Sequence, residues 1–204
     1  MTGLSLFASA GIGEAYLEKC NVTIVAANEL VEKRAELYKA LYPKSKMVCG
    51  DITDKEVFKK VMEAAKGIGF LIASPPCQGM SVAGKNRNQE TMAADRRNYL
   101  ITYVVEAIKK LEPEYVLIEN VPALLKVKLQ YLGRTYSVLD LLEHEFGRDY
   151  QISSGVVDAA DYGVPQTRLR AIIKMYPKDV EWKWPEIVGH KVTVQEAIGH
   201  LPSI

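Results

Sequence analysis

Residues 74–79, Ser-Pro-Pro-Cys-Gln-Gly, contain a side chain that could act as a nucleophile, the thiol of Cys77. They follow an apolar run at residues 70–73 that is typical of a buried strand. Open α/β sheets place their chemistry just beyond the carboxyl ends of strands. Two prolines restrict the backbone before Cys77 and would hold the thiol at a set angle. The segment could therefore carry a nucleophile, although a single cysteine after a strand is more often a small buried hydrophobic residue.

Three earlier apolar runs are also followed by residues that suit a ligand. The run at residues 3–7 leads into a turn of small residues, 8–13, which lets a ligand approach the backbone closely. Glu29 follows the second run, where a carboxylate could hold both hydroxyls of a ribose. Asp51 and Ile52 follow the third and could hold an exocyclic amine and a purine face. Acids after strands also cap helices, but three such turns in succession predict a nucleoside site.

Glu119 and Asn120 follow a further apolar run at residues 115–118. A carboxylate there would lie beside the strand that carries Cys77 if the two strands are neighbours in the sheet. Helix capping or loop anchoring would explain the same two residues equally well.

Alternating polar and apolar residues at 161–170 predict a strand with Gln166, Arg168 and Arg170 on one face. Such a row of side chains is often a solvated surface stripe. It could instead anchor loops and recognise carbonyl or phosphate oxygens, because guanidinium groups donate several hydrogen bonds in a fixed geometry.

The elements that must position these residues alternate along the chain. Strands are predicted at residues 3–7, 23–27, 47–49, 70–73, 115–118, 151–157 and 171–175. Helices are predicted at residues 11–19, 35–41, 55–65, 99–111 and 138–145. This order predicts an α/β fold, with a doubly wound and mostly parallel sheet in one domain over residues 1–204.

Composition limits the classes of protein that remain. A chain of 204 residues with 48% hydrophobic and 25% charged residues can bury one core, as soluble globular proteins do. The absence of a signal peptide or a long apolar run predicts a cytoplasmic protein. Three widely spaced cysteines and three histidines without ligand spacing predict neither disulfides nor a metal site.

The net charge of +1 means that any nucleic-acid site must be local. Two groups of basic residues could form one: Lys85 and Arg87 with Arg96 and Arg97, and Lys126, Lys128 and Arg134. Scattered surface charge is the commoner meaning of such groups.

Taken together, the motifs resemble those of the cytosine-C5 DNA methyltransferases over essentially the whole chain. Six blocks match that family's motifs in order: residues 7–13, 28–30, 51–52, 75–78, 119–121 and 166–170. The last three resemble its proline-cysteine-glutamine, glutamate-asparagine-valine and QxRxR motifs. Asp95, Arg97 and Leu100 also fit the family segment that closes the catalytic loop and borders the adenine.

The resemblance implies a Rossmann-like fold that binds S-adenosylmethionine and assigns roles position by position. The cofactor would contact Phe7, Ala8, Ser9, Ala10, Gly11, Ile12, Asn28, Glu29, Leu30, Asp51, Ile52, Pro75 and Leu100. Double-stranded DNA would contact Gln78, Ser81, Lys85, Arg87, Arg97 and Gln166. Residues 79–98 would form a lid over the DNA that is mobile in its absence.

The same resemblance implies the catalytic roles. Cys77 would add to C6 of a flipped cytosine, which turns the ring into an enamine that is nucleophilic at C5. Glu119 would hold N3 and N4 of the base. Arg170 would face O2, with Arg168 supporting it, and a base would remove the C5 proton after methyl transfer.

The sequence departs from the family pattern in two places. Ser9 stands where the family most often has glycine, and we expect cofactor binding to survive this change. The family's target-recognition domain and last two motifs do not follow residues 193–202. We therefore expect either a fragment or the catalytic subunit of a split enzyme from a restriction-modification system, nearly inactive without a second protein subunit.

Two alternatives remain at this point. The same catalytic residues would serve a transfer-RNA cytosine-C5 methyltransferase. A non-catalytic, cofactor-binding regulatory module is the other, although such a module would need none of Cys77, Glu119 and Arg170.

Overall fold

A computed structural model describes residues 1–76 and 99–202 of the chain. The strands in these ranges are β1 (Thr2–Leu6), β2 (Thr23–Glu29), β3 (Lys46–Cys49), β4 (Phe70–Ala73), β5 (Tyr115–Asn120), β6 (Lys128–Tyr131), β7 (Arg134–Ser137), β8 (Tyr150–Asp158) and β9 (Leu169–Pro177). The α-helices are α1 (Glu32–Leu41), α2 (Lys55–Ala64), α3 (Leu100–Leu111), α4 (Val138–Phe146) and α5 (Val194–Ile198). Of the helices described, none has the length and apolar character needed to cross a membrane.

Seven strands form one sheet in the order β3-β2-β1-β4-β5-β9-β8. The five strands from β3 to β5 are mutually parallel, and β9 runs antiparallel between β5 and β8. The predicted mostly parallel α/β sheet is therefore confirmed. The strand order reverses at β1, whose neighbours are β2 and β4, and such switch points are where open α/β sheets bind ligands.

The core explains why these segments form strands and helices. All four residues of β4 are buried, as expected of a central parallel strand that is covered on both faces. Helix α3 buries Ile101, Val104, Val105 and Ile108, a helical spacing that places them on one face. Complete burial of each such side chain stabilises the fold by roughly 1.5–3 kcal/mol.

The two faces of the sheet are covered differently. Helices α2, α3 and α4 pack on one face and share a single hydrophobic core with β1, β4 and β5. On the other face, α1 covers the β2–β3 edge. Further along that face, Phe70 and Ile72 pack against Leu17 and Trp182, which lie in segments without α-helix.

The predicted helix at residues 11–19 is wrong. This stretch forms consecutive turns followed by a 3-10 helix at Leu17–Cys20. Gly11 has a φ of +80°, which an α-helix cannot accommodate. Its carbonyl accepts a hydrogen bond of 2.6 Å from the Tyr42 hydroxyl, a contact from 31 positions away along the chain. A tertiary contact therefore helps to fix the turn.

The prediction that Gln166, Arg168 and Arg170 share one face of a strand is also wrong, because only Arg170 lies in a strand. Strand β9 begins at Leu169, so Gln166 and Arg168 lie in the preceding loop and are exposed. The Asp158 carboxylate accepts hydrogen bonds from the backbone N–H groups of Arg168 (2.8 Å) and Ala160 (3.2 Å). These bonds close the loop ahead of the strand, so only Arg170 belongs to β9.

A hairpin formed by β6 and β7 was not predicted from the sequence. Its turn places Leu132 at φ +48° and Gly133 at φ +78°, as a two-residue hairpin turn requires. Leucine is rare in that conformation, so the usual Asn-Gly or Asp-Gly signal is missing.

Candidate active site

A cavity of about 440 Å³ lies at the carboxyl ends of β1, β2, β3 and β4. Eight of the residues predicted to contact a cofactor line it: Phe7, Ser9, Asn28, Glu29, Leu30, Asp51, Ile52 and Leu100. The cavity therefore occupies the switch point of the sheet. Its size is within the range of roughly 300–1,000 Å³ that is usual for small-molecule sites.

Glu29 joins two of the turns that surround this cavity. Its side chain is buried, and one carboxylate oxygen accepts from the Ser9 N–H at 2.8 Å. The other oxygen accepts from the Val31 N–H at 2.9 Å. Charge-assisted bonds of this kind fix the carboxylate in place. Each oxygen still has acceptor capacity for a ligand hydroxyl.

The turn after β1 has an uncommon backbone conformation. Phe7 (φ +59°) and Ser9 (φ +51°) are both in the left-handed region that favours glycine. Such residues cost free energy and tend to cluster at ligand sites, where the surrounding structure holds them. The Ala8 N–H donates to the Asn28 carbonyl at 2.9 Å and thereby holds the turn against β2.

Polar side chains also fix the third turn. The buried Asn28 amide donates to the carbonyls of Val48 and Gly50, both at 3.0 Å, and so connects the ends of β2 and β3. Asp54 caps α2 by accepting from two backbone N–H groups. Asp51 is exposed, and among the described residues its carboxylate accepts only from the Thr53 N–H. The capping role is therefore filled by Asp54, and Asp51 is available to a ligand.

Five other predicted cofactor residues do not line this cavity: Ala8, Ala10, Gly11, Ile12 and Pro75. Ala8 is buried beneath the turn, whereas Ile12 is 79% exposed. Sequence reasoning missed Val31, Arg34, Gly50, Ser74 and Pro76, which do line it. No clear signal marked Arg34, because Lys33 is also a cation in the first turn of α1 and does not line the cavity.

Glu119 and Arg170 meet at the same edge of the sheet, beside the end of β4. The Arg170 Nε lies 2.7 Å from Glu119 Oε1, and both side chains are partly exposed. Strand β5 pairs with β9 so that Glu119 is opposite Ile172, which makes Arg170 a diagonal neighbour. A second guanidinium nitrogen donates to the Leu169 carbonyl at 2.6 Å. The predicted proximity of these two residues is therefore observed, and their roles remain predictions.

Asn120 connects this pair to the segment before the predicted nucleophile. Its buried amide donates to the Pro75 carbonyl at 2.8 Å and accepts from the Val121 N–H at 2.9 Å. Loop anchoring therefore accounts for Asn120. Strands β4 and β5 are direct neighbours, as the proposed proximity of Cys77 and Glu119 required.

Several predicted site residues lie outside the described residues, and so does the predicted lid at residues 79–98. They are Cys77, Gln78, Ser81, Lys85, Arg87, Asp95 and Arg97.

Comparison with known proteins decides the family. The family model "C-5 cytosine-specific DNA methylase" matches residues 1–202. The chain belongs to this family. Type II methyltransferase M1.HgaI of Avibacterium volantium is 54% identical over 99% of the chain and 57% of its own length. M.XorII of Xanthomonas oryzae pv. oryzae is 32% identical over 98% of the chain and 46% of its own length. The chain thus spans about half the length of these two Type II methyltransferases.

Solved structures agree on the fold. A prophage-encoded DNA modification methyltransferase (E. coli) superposes with a TM-score of 0.75 at 24% identity, covering 100% of this chain and 56% of that chain. DNMT2 of Spodoptera frugiperda superposes with a TM-score of 0.64 at 20% identity, covering 94% of this chain and 54% of that chain. At these identities the likeness shows a methyltransferase fold and nothing finer.

Proposed function

We propose that this chain is the catalytic part of a DNA (cytosine-5-)-methyltransferase that uses S-adenosylmethionine. One observation carries the proposal beyond family membership. The cavity and the Glu119–Arg170 pair lie at the same sheet edge, on either side of residues 74–76. Pro76 lines the cavity, while the Pro75 carbonyl is held by Asn120. Cys77, the next residue, would thus stand between a cofactor and a base.

The lining of the cavity fits an adenosyl group. Glu29 would accept from the ribose hydroxyls, and Asp51 from the adenine amine. Phe7, Ile52 and Leu100 line the same cavity and offer apolar surface for the purine. When bound, S-adenosylmethionine supplies an electrophilic methyl group for C5 of the cytosine.

The proposed chemistry assigns one task to each side chain at the base. The Cys77 thiolate forms a bond to C6, and the ring electrons move to C5, which becomes nucleophilic. Glu119 holds N3 and N4, so that charge developing on the ring is stabilised. Arg170 faces O2. Once C5 is methylated, removal of its proton expels the thiolate and restores the aromatic ring.

The target base must leave the duplex, because C6 is inaccessible within the base stack. We propose that a second protein subunit contributes to target recognition, because the chain matches only 57% and 46% of the length of M1.HgaI and M.XorII. A restriction-modification system and a cytoplasmic location are the expected context, in keeping with the Type II names of the relatives.

Tritiated methyl transfer tests this proposal. The chain is assayed on duplex DNA and on transfer RNA, with and without the product of the adjacent reading frame, and with Cys77→Ser as control. Transfer to DNA that needs the second product and is lost in Cys77→Ser is the expected result. Transfer to transfer RNA alone would favour the RNA enzyme. Cofactor binding without transfer to either substrate, with every candidate partner present, would favour the regulatory module.

A further inference from the structure

A second cavity, of about 270 Å³, shares no lining residue with the first. It lies between residues 14–18, the start of β2 and the chain that follows α1. Leu17, Leu41 and Pro43 give it apolar walls. Glu14 and Ser45 are the buried polar side chains among its lining residues.

Three buried polar atoms in and beside this cavity lack a well-formed hydrogen bond in the described part of the chain, and two of their residues, Glu14 and Ser45, line it. They are Glu14 Oε1, the Tyr38 hydroxyl and Ser45 Oγ, and none has a well-formed hydrogen bond within residues 1–76 and 99–202. Their residues are only 4%, 0% and 9% exposed. Tyr38 lies beside Ser45 and close enough to Glu14 for that carboxylate to help burial raise the pKa of its hydroxyl. Since buried polar atoms are nearly always satisfied, such a cluster needs an explanation.

Glu14 is the member of the cluster that most needs a partner. Burial raises its pKa, and the neighbouring Ser5 hydroxyl offsets only part of that rise. An ionised carboxylate in such a place is costly unless a positive group pairs with it. None of the ion pairs found in the described part of the chain includes Glu14. Lys44 also lines the cavity, but its side chain is exposed.

The chemistry of the cluster selects the kind of ligand. The Glu14 carboxylate and the Ser45 hydroxyl both accept hydrogen bonds, and a primary ammonium group has three donors and no acceptor. The apolar walls suit an alkyl stem, as when lysine side chains bury their methylenes along apolar surface. The volume of about 270 Å³ is several times the roughly 30 Å³ that one water molecule occupies in the liquid.

We propose that this cavity binds a primary alkylammonium group, with the charged head at Glu14 and Ser45. The alkyl stem packs against Leu17, Leu41 and Pro43. A free aliphatic amine and a lysine side chain of a second copy present this same group. The site is independent of the methyl-transfer site and needs neither cofactor nor DNA.

Titration with n-butylammonium chloride at constant ionic strength tests the site in the unmodified chain. The carbon-13 resonance of the Glu14 carboxyl and the melting temperature are followed against sodium chloride. A saturable change in both is expected. Glu14→Gln should weaken binding at least tenfold, because it removes the negative charge that pairs with the ammonium group. The neutral amide has nearly the same shape, so the fold should stay intact. The matched control is Glu18→Gln, an exposed acid at the same cavity, which should change the affinity less than twofold.

Other results would overturn the proposal. One is the absence of a saturable response, and another is an equal response in Glu14→Gln. In either case, bound water would be the explanation for the buried polar atoms that lack a hydrogen bond. Binding that appears only in Lys44→Gln would mean that Lys44 itself fills the cavity, which also refutes an external ligand.

Native mass spectrometry then distinguishes the two sources. A free amine appears as a small added mass that is lost in Glu14→Gln. A lysine from a second copy appears as a dimer that n-butylammonium dissociates.

Discussion

The cofactor half and the base half of the site differ in what holds their side chains. In the cofactor half, Glu29 is a buried residue whose carboxylate accepts from two backbone N–H groups. In the base half, the side chains of Glu119 and Arg170 are 31% and 22% exposed, and the carboxylate pairs with another side chain. Backbone hydrogen bonds therefore fix Glu29, whereas one ion pair between side chains fixes Glu119 and Arg170.

This difference teaches which half can work alone. Backbone hydrogen bonds around Glu29 form whenever the sheet folds, so the cofactor half should be preformed. The Glu119–Arg170 pair must rearrange or share its atoms when a base arrives, because both residues are proposed to contact the base. We therefore expect mutations in the two halves to separate cofactor affinity from methyl transfer.

Glu119→Gln should give the largest effect. Loss of the carboxylate removes support for the charge that develops on the base, so the methyl-transfer rate should fall at least about 100-fold. Cofactor affinity, measured by calorimetry, should stay within about twofold because Glu119 does not line the cavity. The control is Glu63→Gln, an exposed acid on α2. An equal loss of cofactor affinity would show that the two halves are not separate.

Glu29→Gln should weaken the cofactor half of the site. The amide nitrogen must face one of the two backbone N–H groups, so a donor that is now satisfied loses its acceptor. Stability in urea should fall by about 1–3 kcal/mol. Cofactor affinity should fall about tenfold or more, since tenfold is 1.4 kcal/mol. Glu36→Gln, an exposed change on α1, provides the baseline. Unchanged cofactor affinity would remove Glu29 from the site.

Asp158→Ala should loosen the base half alone. The Arg168 and Ala160 N–H groups hold the pKa of Asp158 below its ordinary value. The ionised carboxylate therefore stabilises the folded loop at any pH above its unfolded pKa of about 3.9. This stabilisation is lost as the pH falls through the lower pKa of the folded state. Hydrogen exchange at the Arg168 amide should therefore rise in Asp158→Ala at neutral pH. Protection that stays at the wild-type level would contradict this role.

Ser9→Gly should give the smallest effect. Ser9 has a φ of +51°, and relief of this strain is partly offset by the greater freedom of glycine in the unfolded chain. Stability should rise by about 0.5 kcal/mol, with cofactor affinity unchanged. Ser9→Ala keeps the Cβ atom and the strain, so it should not gain stability. A gain in Ser9→Ala equal to that in Ser9→Gly would exclude backbone strain as the cause.

Sheet topology predicted that Glu119 would lie beside the strand that leads to Cys77, and β4 and β5 are indeed neighbours. The meeting of Glu119 with Arg170 was implied only by the family resemblance, which assigns both to one base. Sequence reasoning failed where distant contacts override local preference. The helix at residues 11–19 fails because Gly11 has a positive φ and the Tyr42 hydroxyl takes its carbonyl. The strand at residues 166–168 fails because the Asp158 carboxylate takes the Arg168 N–H. Neither contact has a signature in the local alternation of apolar residues.

The central claim is that Cys77 attacks a cytosine that Glu119 and Arg170 hold. Duplex DNA containing 5-fluorocytosine tests it most directly, because fluorine at C5 cannot leave as a proton does and the adduct persists. With S-adenosylmethionine and the partner present, the chain should form a denaturation-resistant complex with this DNA. The complex should be absent in Cys77→Ser and much reduced in Glu119→Gln. A complex of equal yield in Cys77→Ser would contradict the account.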